Sequence, residues 1–346
     1  MRRAFVLVTA LAAVAAAGCF KRKKGPAYDT VHVAIGAAHA CALAKDGAVW
    51  CWGDGSRGQL GDGKAASHPL PARVRPPGGD ISDVAAGGAT TCTRAKDGAI
   101  ACAGALARDD LGSAAEVKVG DTIACARGTG KGDAGEGEGA VRCWTKTAPP
   151  RAVAGIHDAT AITAGGSRAC ALVTEGTLRC WSDTDDPAVA PATVPAIYGA
   201  VAASVGARHA CVVRGDRTLA CWGANDHGEL GDGTTTAHTS PATVLGLESV
   251  HDVSIGDGFT CARLYDGTAR CWGRNDHGVL TSGTLEGRTT PQMISGLFHL
   301  QELTVGGGTV CALLDDGTLR CWGENGQGQV GDGSRDDRGV PVTVRW

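Results

Sequence analysis

The chain has 346 residues, of which 53 are Gly and 15 are Cys, while aromatic residues make up only 4%. Its 43% apolar content excludes disorder for the bulk of the chain, but a core built on large aromatic side chains is excluded too. The formal charge is −3 overall; six basic residues and Asp29 precede Thr30, so the rest carries −8, and a body of that sign offers no field for nucleic acid.

The first predicted element is an export signal over 1–18. Arg2 and Arg3 precede an uncharged run from Ala4 to Gly18, a basic region followed by a short apolar stretch ending in small residues. The run is too short and too alanine-rich to span a membrane comfortably. It ends in Ala16-Ala17-Gly18-Cys19, which resembles a bacterial lipobox with Ala16 in place of the usual large aliphatic residue. Lipidation of Cys19 is the expectation, with plain cleavage after Ala17 as the alternative. Residues 19–29 follow as a tether containing Lys21-Arg22-Lys23-Lys24, suited either to anionic head groups or to solvent.

From Thr30 to Trp346 the sequence repeats. Six cysteine pairs share a spacing of ten: Cys41/Cys51, Cys92/Cys102, Cys170/Cys180, Cys211/Cys221, Cys261/Cys271 and Cys311/Cys321. The seventh, Cys125/Cys143, is stretched by the glycine-rich insert Arg127–Gly139. First cysteines run from 41 to 311 in six steps, a mean period of 45 residues, which suits a propeller or similar closed array. Setting Cys19 aside leaves an even set of fourteen, and paired cysteines persist in oxidising compartments.

The last unit sets the register. If Cys311 lies opposite Cys321, Leu313 faces Leu319, Ala312 faces Arg320, and Asp315-Asp316-Gly317 makes the turn. The first and fourth units follow, with Leu43 opposite Val49 and Leu172 opposite Leu178. Each hairpin is then closed by one disulfide and is apolar on both faces, so it must be sandwiched between neighbours. A strand of small residues precedes each hairpin and a proline-led strand follows, giving about four strands per unit. The terminal strand Pro341–Trp346 is expected to pair with Thr30–Val33 and close the ring.

The run Gly36-x-x-His39-x-Cys41-Ala42-Leu43, Asp46-Gly47, Trp52-Gly53 and Gly58-Gln59-Leu60-Gly61-Asp62-Gly63 resembles the regulator-of-chromosome-condensation repeat. The resemblance covers roughly residues 30–346 and implies a seven-bladed β-propeller, so the expected fold is all-β and seven-bladed, with the hairpin disulfide read from the cysteine register in each blade. Gly206-x-x-His209, Trp222-Gly223-x-Asn225 and Gly228–Gly233 repeat it closely. The second unit departs, with Cys102-Ala103-Gly104 lacking the tryptophan, and the third and fourth keep Trp144 and Trp181 but lose the glycine motif.

Chemistry-bearing motifs are few. Cysteines ten apart across a hairpin do not suit zinc, and the Gly-Asp-Gly loops at 61–63, 231–233 and 331–333 supply one carboxylate each, too few for calcium. His39 and His209 share one repeat position, and His227 and His277 another, which points to structural roles bonded to backbone. No catalytic residue, metal or cofactor is assigned. The irregular parts, Arg127–Gly139 and the acidic loop Trp181–Pro191 with Asp183, Asp185 and Asp186, are freer to recognise something. The resulting expectation is a non-enzymatic, monomeric binding scaffold, exported and anchored to the bacterial cell envelope through Cys19. Its partner would be a protein, with a surface glycan as the other candidate. Members of the family it resembles include an exchange factor for a nuclear GTPase and a secreted inhibitor of β-lactamases, so inhibition of a secreted or periplasmic enzyme is one alternative. An envelope lyase or hydrolase with its site in the central channel is the other.

Overall fold

The computed structural model describes residues 29–76, 79–130, 137–186 and 189–346. The expected export signal, Cys19 and the tether up to residue 28 lie outside the described residues, as do 131–136 of the insert and 187–188 of the acidic loop. What is described is all β, without helices, in seven antiparallel sheets that form the blades of a propeller.

Each blade is one contiguous stretch of chain. In blade one the strands Thr30–Ile35, His39–Ala44, Val49–Gly53 and His68–Val74 lie side by side in chain order. Six blades have four strands. Blade two has three, Ile81–Gly87, Thr90–Ala95 and Ile100–Gly104, with an isolated Ala99–Ser113 bridge where a fourth would begin.

The hairpin register is the one the cysteine spacing predicts. Cys311 faces Cys321, Ala312 faces Arg320, and Leu313 faces Leu319; Leu43–Val49 and Leu172–Leu178 repeat the pattern. All seven pairs are disulfides, one per blade. In chain order they are Cys41–Cys51, Cys92–Cys102, Cys125–Cys143, Cys170–Cys180, Cys211–Cys221, Cys261–Cys271 and Cys311–Cys321. The spacing makes these pairs look equivalent, but the structure does not bury them equally. Cys51, Cys221, Cys271 and Cys321 are fully buried, whereas Cys102, Cys143 and Cys180 are only half-buried. The outer strand that would cover them is missing in blade two and only two residues long in blades three and four, Arg151–Ala152 and Ala192–Thr193. The tips turn on glycines such as Gly47 and Gly317, at φ 79° and 80°, where a side chain would be strained.

The apolar core is not central. It is divided into seven clusters, each shared by two adjacent blades. In four blades a tryptophan bridges to the loop of the blade before it. Trp52 Nε1 donates to Gln329 O of blade seven, Trp272 to Glu229 O of blade five, and Trp322 to Val279 O of blade six. Trp144 donates to Leu106 O of blade two. In blade four, Trp181 Nε1 is buried and has no partner among the described residues, which follows from the loss of the loop motif before it. In blade two, Ala103 stands where an indole would, and a small cavity lined by Leu60, Val74, Thr91 and Ala103 remains.

The ring closes differently from the sequence expectation. The last strand, Arg338–Thr343, pairs with Leu319–Gly323 of its own blade and not with the first strand. The seam is sealed instead by side-chain packing and a backbone bond outside the strands: Trp346 packs edge-on against Trp50 and Trp52, with centroids 6.0 Å away in both cases, and Gly333 N donates to Pro69 O. A sheet apolar on both faces gains enough from face packing that no shared strand is required.

Candidate functional site

The propeller offers three places to bind: two faces and the channel between them. The first strand of each blade lines the channel, and all seven run the same way. Their ends turn at Gly36, Gly88, Asp121, Gly166, Gly206, Asp257 and Gly307, defining a glycine-turn face. Ala37 N donates to Gly88 O, Asp121 N to Gly166 O, and Asp257 N to Gly307 O, so turns in neighbouring blades are tied together. Space there is tight. A Cβ on Gly165 would lie 2.0 Å from Val205 O, which explains the small residues at these ends.

Just outside those turns sit His39 and His209, both fully buried. His209 Nε2 lies 2.8 Å from Thr260 Oγ1 in the next blade, and Thr260 Oγ1 donates to Glu229 O, so the imidazole is the donor to the hydroxyl. His39 Nε2 stands 2.8 Å from Thr91 Oγ1 in the same way. These histidines are structural, as expected, but their partner is a threonine hydroxyl of the following blade and not backbone. Burial lowers both pKa values to about 4. His277 pairs with Asp337 at 2.7 Å. The Gly-Asp-Gly loops are turns: Asp232 accepts from Thr234 N and pairs with His238, and Asp332 repeats this with Ser334 and Arg338.

The channel encloses about 820 Å³. It carries ionisable groups that the sequence did not single out, because strand direction and facing were needed to find them. His32 Nδ1 is 2.8 Å from Glu302 Oε1 of blade seven, and its Nε2 is 3.0 Å from Val84 O of blade two. Burial works against a charge on His32, but the hydrogen bond and charge of Glu302, with Asp83, hold its pKa above the ordinary value. Glu302 also accepts from Val33 N, and Glu116 accepts from Arg127 and from Ile162 N of the next blade. Near the glycine-turn mouth, burial and the charge of Asp257 raise the pKa of Asp121, while Arg274 pairs with Asp257 and Asp276. Most of these groups stitch one blade to another.

The opposite, hairpin-tip face is built from the tips and from the turns that lead into the channel strands. Tips and turns form a continuous belt. Ala200 N donates to Gly176 O, Val250 N to Arg217 O, and Leu300 N to Gly267 O, each from a turn to the tip of the preceding blade. Large apolar side chains stand exposed here over blades five to seven: Tyr198 at 78%, Phe298 at 57% and Tyr265 at 54%. Arg217 lies over the Tyr265 ring at 5.0 Å, and the His251 ring packs tilted against it with centroids 4.8 Å apart. Tyr198 and Phe298 occupy one repeat position, two residues before a channel strand, where blade six has Glu248 and blade four His157. Aligning the units on that position would have found them.

The acidic loop identified in the sequence lies at the glycine-turn side, where Asp183 accepts from Thr122 Oγ1 and Asp185 accepts from Ser182 N. The fourteen paired cysteines are distributed one pair to a blade, so that Cys143, Cys180 and Cys221, for example, sit in three different sheets and are not brought together.

The fold and these surfaces define a disulfide-stapled repeat propeller. Residues 46–93 and 219–263 match a model of the regulator of chromosome condensation (RCC1) repeat, and 31–59, 200–229, 250–279 and 302–329 match a second model of it. The matched segments are similar to RCC1 repeats. Among solved structures, yeast RCC1 (Prp20) bound to Kap60 is 18% identical with a TM-score of 0.58, covering 92% of this chain and 75% of that one. Prp20p from Saccharomyces cerevisiae, studied for its binding to Gsp1p and histones, gives 18% and 0.58, with 92% and 77% covered. The CRINKLY WD40 ectodomain of the Arabidopsis thaliana receptor kinase ACR4 gives 18% and 0.56, with 92% and 98% covered. At these identities the likeness is one of fold.

Proposed function

We propose that the protein is a non-enzymatic binding scaffold of the bacterial cell envelope that holds a protein partner on one propeller face. The observation that carries this reading is the exposure of Tyr198, Tyr265 and Phe298 together on the hairpin-tip face, since exposed aromatics of this kind mark contact sites. Yeast RCC1 (Prp20), which shares the fold, is bound to Kap60 in one structure and was studied for its binding to Gsp1p and histones in another, which agrees with a protein partner here. Fold alone does not carry their partners over. Seven disulfides favour an oxidising, exported setting, and no helix of the described residues is long and apolar enough to cross a membrane.

The export signal over 1–18 and a lipid on Cys19 complete the reading, with the propeller as a monomer. Inhibition of a secreted or periplasmic enzyme is a specific form of the same activity. Affinity capture from an envelope extract with the oxidised protein, beside a reduced sample, tests it. Recovery of one protein only by the oxidised form supports the scaffold, and recovery of none refutes a protein partner. Cys19→Ser should abolish labelling by a fatty-acid analogue and release the protein from membranes; unchanged membrane attachment would refute the anchor.

A channel enzyme is the second reading, favoured by the raised pKa of Asp121 near Asp257. It requires that Asp121→Asn abolish turnover of an envelope substrate while leaving the fold intact.

A further inference from the structure

The repeat supplies glycine wherever the backbone of the hairpin-tip face turns left-handed. Tips turn on Gly47, Gly98, Gly176, Gly267 and Gly317, and the turn into blade five on Gly199. Four positions in blades five to seven depart from this rule. Ala196, Arg217, Ser249 and His299 adopt φ between 55° and 68°, where L-residues are disfavoured. These are four of the five non-glycine residues with positive φ among the described residues, and all four lie on the belt that exposes Tyr198, Tyr265 and Phe298. Strain concentrated on one surface, at positions where the same chain elsewhere uses glycine, marks that surface as constrained by something other than folding.

Its charge is equally specific. Glu175, Asp216, Glu248, Asp266, Asp315 and Asp316 are all exposed along this belt, while the guanidiniums of Arg214, Arg217, Arg270 and Arg320 are half-buried beside them and His299 lies 3.7 Å from Asp315. Arg217 is engaged with the Tyr265 ring and Arg214 with Thr243 Oγ1. Asp216, Asp266 and Asp316 accept hydrogen bonds from Thr218, Thr268 and Thr318, which hold these carboxyls charged below the usual carboxylate range. Aromatic rings set between fixed carboxylates complement a chain that carries both cations and apolar side chains.

We propose that the hairpin-tip belt of blades five to seven docks a basic polypeptide segment of a partner protein, with apolar side chains seated against Tyr198, Tyr265 and Phe298 and lysines or arginines against the flanking carboxylates. The proposal deepens the scaffold reading and rests on it. It names the chemistry of the partner and the arc of the ring that meets it.

The test is fluorescence anisotropy on the oxidised protein with a short fluorescein-labelled peptide of alternating lysine and phenylalanine. Binding should saturate and weaken with added salt. The triple variant Tyr198→Ala, Tyr265→Ala, Phe298→Ala should lose about tenfold or more in affinity, as removal of aromatic anchors does. Glu248→Lys with Asp266→Lys should weaken binding as well, and Leu285→Ala, exposed on the other side, should leave it unchanged. No binding, equal binding by all variants, or equal binding of a glutamate–phenylalanine peptide would overturn the proposal. Recruitment to phosphatidylglycerol vesicles without peptide binding would overturn it in favour of a lipid surface. If envelope capture recovers one partner equally with wild type and the triple variant, the scaffold stands and this docking site falls.

Discussion

His39, His209 and His32 titrate in opposite directions because their surroundings differ. The first two are buried against threonine hydroxyls with pKa values lowered to about 4, so the folded state resists protonation that the unfolded chain accepts near pH 6.5. The stability they contribute is therefore present above pH 6.5 and lost as pH falls towards 4, by about 1.4 kcal/mol per pH unit for each histidine at most. His32 is the reverse. Its raised pKa gives stability that is complete below pH 6.5 and is lost as pH rises through the folded value. Denaturant midpoints measured against pH should thus fall as pH drops below 6.5 and again as it rises through the folded value of His32. The double variant His39→Gln, His209→Gln should flatten the acid limb only, and His32→Gln the alkaline limb only. A profile flat from pH 4 to 6.5 in wild type would refute the burial account.

At the scale of the element, the link between a blade's tryptophan and the loop of the blade before it predicts unequal sensitivity. Trp52→Ala or Trp322→Ala removes a fully buried indole and its hydrogen bond, and should cost about 3–5 kcal/mol in chemical denaturation. Ala103→Trp should raise the midpoint, because Gln59 in blade one has the loop geometry of Gln329 and a cavity stands where the indole would go. A lower midpoint for Ala103→Trp would show that blade two has closed around alanine. Much of this level was legible in the sequence: the cysteine period gave the blades, and Asp-Gly with its flanking apolar residues gave the hairpin register residue by residue. The uneven cover over Cys102, Cys143 and Cys180 was not, because it depends on how much outer strand each blade forms. Nor was the closing strand. A proline-led tail and a strand-like head fit pairing as a pattern, but only packing reveals that Trp346 reaches Trp50 and Trp52 while Val342 pairs with Cys321 of its own blade. The channel pair His32–Glu302 was equally hidden, since its partners are 270 residues apart and no local motif joins them.

For the molecule as a whole, seven cores between seven blades mean that stability is distributed along the ring, as in other repeat folds. Each disulfide spans a short loop, worth roughly 2–3 kcal/mol in the chain-entropy model. Replacing Cys261 and Cys271 together by alanine should cost up to that amount. Peptide mapping without reductant should find Cys261 joined to Cys271; any other partner for Cys261 would refute the hairpin assignment. No strand and no disulfide crosses from the last described blade to the first, nor between any other two blades, so face packing holds this junction as it holds the other six. A circular permutant that starts at blade five and rejoins Trp346 to Asp29 through a flexible linker should therefore fold, oxidise fully and unfold near the parent midpoint. In that respect the chain is a bracelet whose clasp can be moved.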